Sequence, residues 1–363
     1  MKKVLVLANF DVGLYKFRKE LLQELMNQSA EVYISLPYGT LVEPLKEMGC
    51  KFVDTNVDRR GMNPLKDYKL IVEYLKMIRK IRPDMVITYT IKPNLYGGMV
   101  CRMLRVPYAM NITGLGTAFQ SENMVRKIAC FLYKIVGKKA KVVFFENEGN
   151  RQVFLKEKLV REKQTCRLNG AGVNIDEYAY VKYPDEEEAI RFLFIGRVMQ
   201  EKGVDELFMA ARKIKEEYPD ITVDIIGPFE DNYEEKIHQL TEENVIEYHG
   251  YQEDVKRFIE RSHCFVLPSW HEGMANTNLE CASMGRPVIT SKIHGCMEAV
   301  IENESGLLCE KQNAEDLYRQ MQKFIELPYE DKKAMGQAGR KHMEKVFDKK
   351  KVVEKTISKL FRM

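Results

Sequence analysis

Short runs of consecutive apolar residues alternate along this chain with longer segments whose apolar positions recur every three or four residues. The short runs predict buried strands and the longer segments predict helices that bury one face. In the first half the strand-like runs fall at 4–8, 31–36, 52–56, 85–89, 108–112 and 142–146, and the helical spacing falls at 15–27, 41–48, 68–81 and 124–141. Residues 11–14, which include Gly13, read as a turn between the first strand and the first helix. Strict alternation of this kind predicts a parallel sheet wrapped by helices. From 170 to 180 the periodicity lapses, and Tyr183-Pro184 followed by Asp185 to Glu188 reads as an interdomain connection. A second alternating series starts at Arg191, with strand-like runs at 192–195, 223–226, 245–248, 264–267 and 288–290. Residues 331–363 lack strand signals and read as two basic helices. The expectation is an α/β chain of two Rossmann-like domains, 1–178 and 189–345, joined once and followed by a helix at 346–363.

Length supports two domains, since 363 residues exceed what one core usually organises. Charge adds a division that the overall value of +4 conceals. Up to Tyr178 there are 30 Lys and Arg against 18 Asp and Glu, and beyond it 27 against 35. A basic half suits an anionic partner: a membrane surface, a phosphorylated acceptor or nucleic acid. Nucleic acid is set aside, because no recognisable binding module or interleaved aromatic pattern accompanies the charge. Within 124–141, Ile128, Phe131, Leu132 and Ile135 form an apolar face beside Arg126, Lys127, Lys134, Lys138, Lys139 and Lys141. That segment suits an interfacial helix on anionic lipid, or equally a core helix with a basic rim. The eight cysteines contain no C-x-x-C pair and lie beside apolar runs, which predicts reduced, buried thiols. The apolar run behind Lys2 and Lys3 stops at Ala8, so neither a secretion signal nor a membrane span is predicted. The expected location is the cytoplasm, peripheral at the inner face of the cell membrane.

Candidate chemistry concentrates between Cys264 and Val300. Glu272 and Glu280 flank a helix entrance, and Asn276 stands where an N-cap could stand. Free N–H groups behind it would face an anion. Earlier in the same half, Gly196-Arg197 ends a strand and Lys202-Gly203 opens a helix. Arg197 offers a fixed fork and Lys202 a point charge, a pair that fits a diphosphate, although either alone is common in surface turns. No P-loop occurs, which argues against P-loop nucleotide chemistry. Two glutamates could also form a glycosidase pair, but a hydrolase has no need of a diphosphate cradle on the next strand. No Asp-x-Asp motif occurs, so the positive charge is expected from the chain and neither a metal nor a separate cofactor is indicated. Trp270 reads as a packing residue. Arg59, Arg60 and Lys92 could grip an acceptor's diphosphate, or equally be exposed basic turns.

Gly196-Arg197 with Lys202-Gly203, Glu272 with Glu280, and the segment Gly295 to Val300 together resemble the signature of the retaining glycosyltransferases of family 4, over essentially the whole chain. The likeness is greatest to bacterial enzymes that extend lipid-linked glycans, including N-acetylgalactosaminyltransferases acting on undecaprenyl-diphosphate sugars. The resemblance implies a GT-B fold, two Rossmann-like domains facing each other across a cleft, with the C-terminal helix returning to the first domain. It implies that Arg197 and Lys202 hold the diphosphate of a UDP-sugar, Glu272 the donor sugar's hydroxyls and Glu280 the ribose. Gly196, Gly273, Met274, Ala275 and Asn276 would complete the donor cradle and the Gly13 turn would close over it. Arg197, Lys202 and Glu272 would carry catalysis. The loops holding Lys92, Asn94, Thr113 and Gly114, with Arg59 and Arg60, would shape the acceptor side. Many members carry a histidine in the first domain, whereas all six histidines here lie beyond residue 237, so the acceptor-side contact stays unassigned. The reaction implied is metal-independent transfer, with retention, of an N-acetylhexosamine from a UDP-sugar to a lipid-linked or surface polysaccharide precursor such as those of capsule or lipopolysaccharide. The alternatives are a UDP-N-acetylhexosamine epimerase on the same fold and a non-catalytic nucleotide-sugar-binding protein.

Overall fold

The structure, a computed structural model, describes residues 2–58, 63–116, 119 and 124–361. It divides into two compact units, Met1–Ala171 with Lys349–Met363, and Gly172–Asp348. The first unit runs β1 (Lys3–Leu7), α1 (Asp11–Asn27), β2 (Glu31–Leu36), α2 (Val42–Glu47), β3 (Lys51–Asp54), α3 (Pro64–Ile81), β4 (Met85–Tyr89), α4 (Gly98–Leu104), β5 (Tyr108–Ile112), α5 (Met124–Gly137), β6 (Val142–Phe145), α6 (Glu148–Lys156) and β7 (Thr165–Arg167). The second runs β8 (Arg191–Ile195), α7 (Val204–Glu217), β9 (Thr222–Ile226), α8 (Glu234–Glu242), β10 (Glu247–Tyr248), α9 (Lys256–Arg261), β11 (Cys264–Leu267), α10 (Asn276–Ser283), β12 (Val288–Ser291), β13 (Gly306–Cys309), α11 (Ala314–Glu326) and α12 (Tyr329–His342). A last helix, α13 (Lys349–Phe361), belongs to the first unit.

Every strand pair is parallel, in the orders β3-β2-β1-β4-β5-β6-β7 and β10-β9-β8-β11-β12-β13. Strand order therefore reverses between β1 and β4 in one sheet and between β8 and β11 in the other. At such a point the loops leave the strand ends in opposite directions and open a crevice for ligands. Burial follows the pleat. Val4 and Val6 of β1 join the core under α1, whereas Leu5 and Leu7 join the core under α3 to α5. Helix α13 closes the first of these cores with Val352, Ile357 and Leu360, and Lys349 Nζ lies 3.4 Å from Glu20 Oε2.

Three details depart from the sequence reading. Residues 11–14 are the first turn of α1 rather than a loop, so Gly13 is helical; the Asp11 carboxylate accepts the Leu41 N–H at 2.8 Å. The edge strands β7 and β13 were not predicted, because each is only three or four residues long. Residues 172–188 pack in the second unit, where Val173 N–H donates to Phe347 O at 2.8 Å and so pairs the two chain crossings.

Candidate active site

The switch point of the second sheet collects the conspicuous residues of that half. Gly196 leaves β8 with its N–H on Ile226 O at 2.9 Å. A Cβ at Gly227, where φ is +147°, would fall 1.8 Å from Gly196 O, so the two strand ends can press together only without side chains. Arg197 follows, half-exposed, with Nη1 at 3.4 Å from Glu230 Oε2. The chain then makes one 3₁₀ turn, Gln200–Lys202, and enters α7 through Gly203 at φ +72°. A Cβ on Gly203 would lie 2.1 Å from Pro268 O. This glycine is what lets the Lys202 turn lie on the end of β11.

From β11 the loop 268–275 returns across that turn. Trp270 N–H donates to Glu201 O at 2.9 Å, and its indole N–H donates to Glu206 Oε1 at 3.2 Å. Lys202 Nζ pairs with Glu272 Oε1, which also accepts the Ser269 hydroxyl at 2.9 Å. Both charged groups are largely shielded, with 19% and 12% of their side chains exposed. A second loop locks the first from the other side: Ala275 N–H donates to Gly295 O at 2.7 Å, and Gly295 N–H donates to Glu298 Oε2 at 2.7 Å. Gly295 (φ +94°) is close-packed, since a Cβ there would be 2.8 Å from Glu272 O.

Helix α10 starts at Asn276, capped by Ala275 with no side-chain bond. Asn276 is thus the first helical residue and not the cap, and its Oδ1 is buried with no partner among the described residues. Ala275 offers the first N–H groups no side-chain cap, and they present partial positive charge. Met274 and Ala275 are buried, so only their backbone can face a ligand. Glu280 lies one turn further along, beside the Tyr178 hydroxyl, whose pKa is raised first by burial and then by that carboxylate. His271 is exposed at the rim, and its pKa is lowered by partial burial and by Lys311.

The other predicted residues belong to the first unit. Gly13 is in the first turn of α1, and Arg59 and Arg60 lie outside the described residues. Lys92 Nζ is 2.7 Å from Asp67 Oδ1, and the Tyr96 hydroxyl donates to Asp67 Oδ2 at 2.9 Å. Asn94 is fully buried; its amide donates to Asn111 O at 2.9 Å and its Oδ1 accepts the Thr88 hydroxyl at 2.6 Å. Asn94 thus serves the fold, and Lys92 is already matched by a carboxylate. Thr113 and Gly114 follow β5, in a loop whose Gly116 packs on Ile91. Ser269, Glu206 and Tyr178 were not singled out in the sequence; each is a common residue type whose relevance is a contact made only in the fold.

Ligand atoms of Asp224, Glu247 and His249 lie within 4.8 Å of one another, as metal ligands can. Arg191 Nη1, however, reaches both Asp224 oxygens at 3.1 and 3.0 Å, and Arg261 Nη2 lies 3.2 Å from Oδ1. Guanidinium groups already meet that buried charge.

Residues 180–342 match the family described as glycosyl transferases group 1, and residues 3–147 match the glycosyl transferase 4-like family. Among curated proteins, the chain is 24% identical over 336 residues to N,N'-diacetylbacillosaminyl-diphospho-undecaprenol alpha-1,3-N-acetylgalactosaminyltransferase of Campylobacter jejuni, covering 88% of each chain. It is 28% identical over 271 residues to the UDP-Gal:alpha-D-GlcNAc-diphosphoundecaprenol alpha-1,3-galactosyltransferase of Escherichia coli, covering 69% of this chain and 68% of that one. Among solved structures, a glycosyltransferase of Rickettsia africae superposes with a TM-score of 0.82 at 19% identity, covering 99% of both chains. Anabaena HepE, solved with UDP and glucose, superposes with a TM-score of 0.82 at 15% identity over the full length of both. These likenesses establish a GT-B fold.

Proposed function

From the premise that this chain belongs to the group 1 and 4-like glycosyltransferases, we propose that it transfers a sugar from a UDP-sugar to a lipid-linked glycan precursor, with retention of configuration and without a metal. The observation that carries this reading is the Lys202–Glu272 pair at the β8/β11 switch point, set between Arg197 and the uncapped start of α10. The names of the relatives support the substrate class: both the C. jejuni and the E. coli enzyme act on undecaprenyl-diphosphate sugars. An N-acetylhexosamine is the proposed donor sugar, by likeness to the first of these.

In the proposed reaction the bond from the anomeric carbon to the diphosphate breaks and negative charge grows on the leaving phosphate. Lys202 and Arg197 exchange their carboxylate partners for that phosphate, and the α10 N–H groups add their partial charge. Glu272, released from Lys202, accepts hydrogen bonds from donor hydroxyls, and Glu280, beside Tyr178, accepts them from the ribose. The acceptor hydroxyl attacks the same face and its proton passes to the leaving phosphate oxygen, so no separate base is required. The acceptor's lipid would be reached through α5, whose Met124, Ile128 and Phe131 are exposed with Lys127 and Lys134 between and beside them. Among the described residues no helix is long and apolar enough to cross a membrane, and the contact proposed is peripheral.

The test is UDP release and product mass with a panel of UDP-sugars against undecaprenyl-diphosphate-linked N-acetylglucosamine and N,N'-diacetylbacillosamine. One pair should turn over, and Arg197→Ala with Lys202→Ala should cost at least roughly a hundredfold in kcat. Full turnover by the double variant would remove the site assignment. Epimer formed from donor alone, with no transfer to either acceptor, would replace transfer with epimerisation.

A further inference from the structure

The carboxyl end of β4 carries a residue held there at an energetic cost. Thr90 has φ +71°, in the left-handed region where a branched Cβ crowds the backbone. Eight described non-glycine residues have positive φ; five of them close helices and two sit in turns. Thr90 alone is β-branched, and it stands directly between the last residue of a strand and the first turn of a helix.

The neighbouring contacts explain why this turn is made in one residue. Thr90 O accepts the N–H of buried Asn94 at 3.0 Å, the opening bond of a helical stretch that passes through a π turn, Pro93–Gly97, into α4. Asn94 pins that stretch to β4 and β5, and Gly97 lets it press on the sheet, because a Cβ there would meet Leu7 Cδ1 at 2.6 Å. Glycine or asparagine would make the same turn with less strain. What threonine adds is a hydroxyl, and Thr90 Oγ1 is buried with no hydrogen-bond partner among the described residues. The fold thus carries two costs at one position, a strained backbone and an unmet polar atom, with no return inside the unit.

We propose that Thr90 is an acceptor-binding residue whose hydroxyl hydrogen-bonds a hydroxyl of the acceptor sugar. The inference rests on the transferase reading above. The location is the β1/β4 switch point of the first sheet, whereas the donor cradle is built in the second unit. The class of ligand group follows from local charge. Lys92, two residues on, is 2.7 Å from Asp67, so this neighbouring cation is already matched, and a neutral polyol needs no further charge. A diphosphate would instead have to draw Lys92 away from Asp67.

The experiment compares wild type with Thr90→Ser, Thr90→Val and Thr90→Gly on the donor–acceptor pair that wild type turns over. Thermal melting, acceptor kcat/KM, and UDP release without acceptor are measured for each. Ser should keep acceptor kcat/KM within about threefold, whereas Val and Gly should lose roughly tenfold or more, as expected when a polar partner is left unpaired. UDP release without acceptor should stay near wild type in all three variants. The Gly variant should melt no lower than wild type, because relief of strain offsets its added chain entropy. Acceptor use by Val equal to that by Ser, a Gly variant that melts lower, or an equal loss in acceptor-free UDP release would each overturn the assignment. Absence of turnover by wild type on every pair would overturn the transferase reading, and Thr90's role with it; wild-type turnover with unaffected Val and Gly variants would overturn Thr90 alone.

Discussion

At the scale of single residues, buried polar groups divide into those the fold satisfies and those it leaves waiting. Arg286 is fully buried yet donates to six backbone carbonyls, including Ile259 O at 2.9 Å and Glu260 O at 2.6 Å, so it pins the segment after the crossing to the second unit. His263 is buried too: its Nδ1 accepts the Arg191 N–H at 3.1 Å, and burial pushes the imidazole down to about 4. Its folded value lies below its unfolded value, so the folded state resists a proton that the unfolded chain accepts. Stability is therefore intact above pH 6.5 and is lost as pH falls from about 6.5 to 4, by about 3 kcal/mol in all. Urea titrations at pH 7 and pH 4.5 should show this loss in wild type and a smaller one in His263→Asn, which keeps an acceptor without a titrating ring. Equal losses in the two proteins would refute the assignment. Lys202 and Glu272 could each be singled out in the sequence, because each stands in a local pattern of glycines and strand ends, but their pairing could not. Thr90 was not, because φ is set by how β4, β5 and the π turn close on one another.

At the scale of elements, two glycine-bearing turns fix the site's geometry. Gly203 starts α7 in a left-handed conformation against Pro268 O, and this contact joins the β8 loop to the β11 loop. Gly203→Ala must both strain the backbone and displace the carbonyl, so it should destabilise the protein by about 2 kcal/mol or more and weaken UDP binding. Melting and UDP calorimetry check this together; an alanine variant unchanged in both would show that the turn has room. The helix α10 was expected from its spacing, but its cap was misplaced by one residue, since the Ala275 bond to Gly295 O sets where the helix begins. Helix α5 shows the limit of periodicity. Its sequence marks Ile128, Phe131, Leu132 and Ile135 as one face, yet Leu132 and Ile135 pack on the core while Ile128 and Phe131 stay exposed.

At the scale of the molecule, the division into units sharpens the charge asymmetry, because the basic helix α13 belongs to the first unit. That unit holds 36 Lys and Arg against 17 Asp and Glu, and the second 21 against 36. A net +19 beside the exposed apolar positions of α5 predicts salt-sensitive binding to anionic vesicles. Flotation with phosphatidylglycerol vesicles should fall as salt rises from 0.05 to about 0.5 M, and Ile128→Asp with Phe131→Asp should abolish it. Binding indifferent to lipid charge and salt would refute the membrane contact. By itself the sequence determined the alternation of strands and helices, the two sheets, the candidate cations and carboxylates at the ends of β8 and β11 and the basic bias of one half, since all of these are written in local period, spacing and composition. Only the tertiary structure decided that Lys202 meets Glu272, that Asn94 and Lys92 are already engaged and that Thr90 is strained with an unmet hydroxyl. Those facts depend on which distant segments share one volume, and no local pattern carries that information.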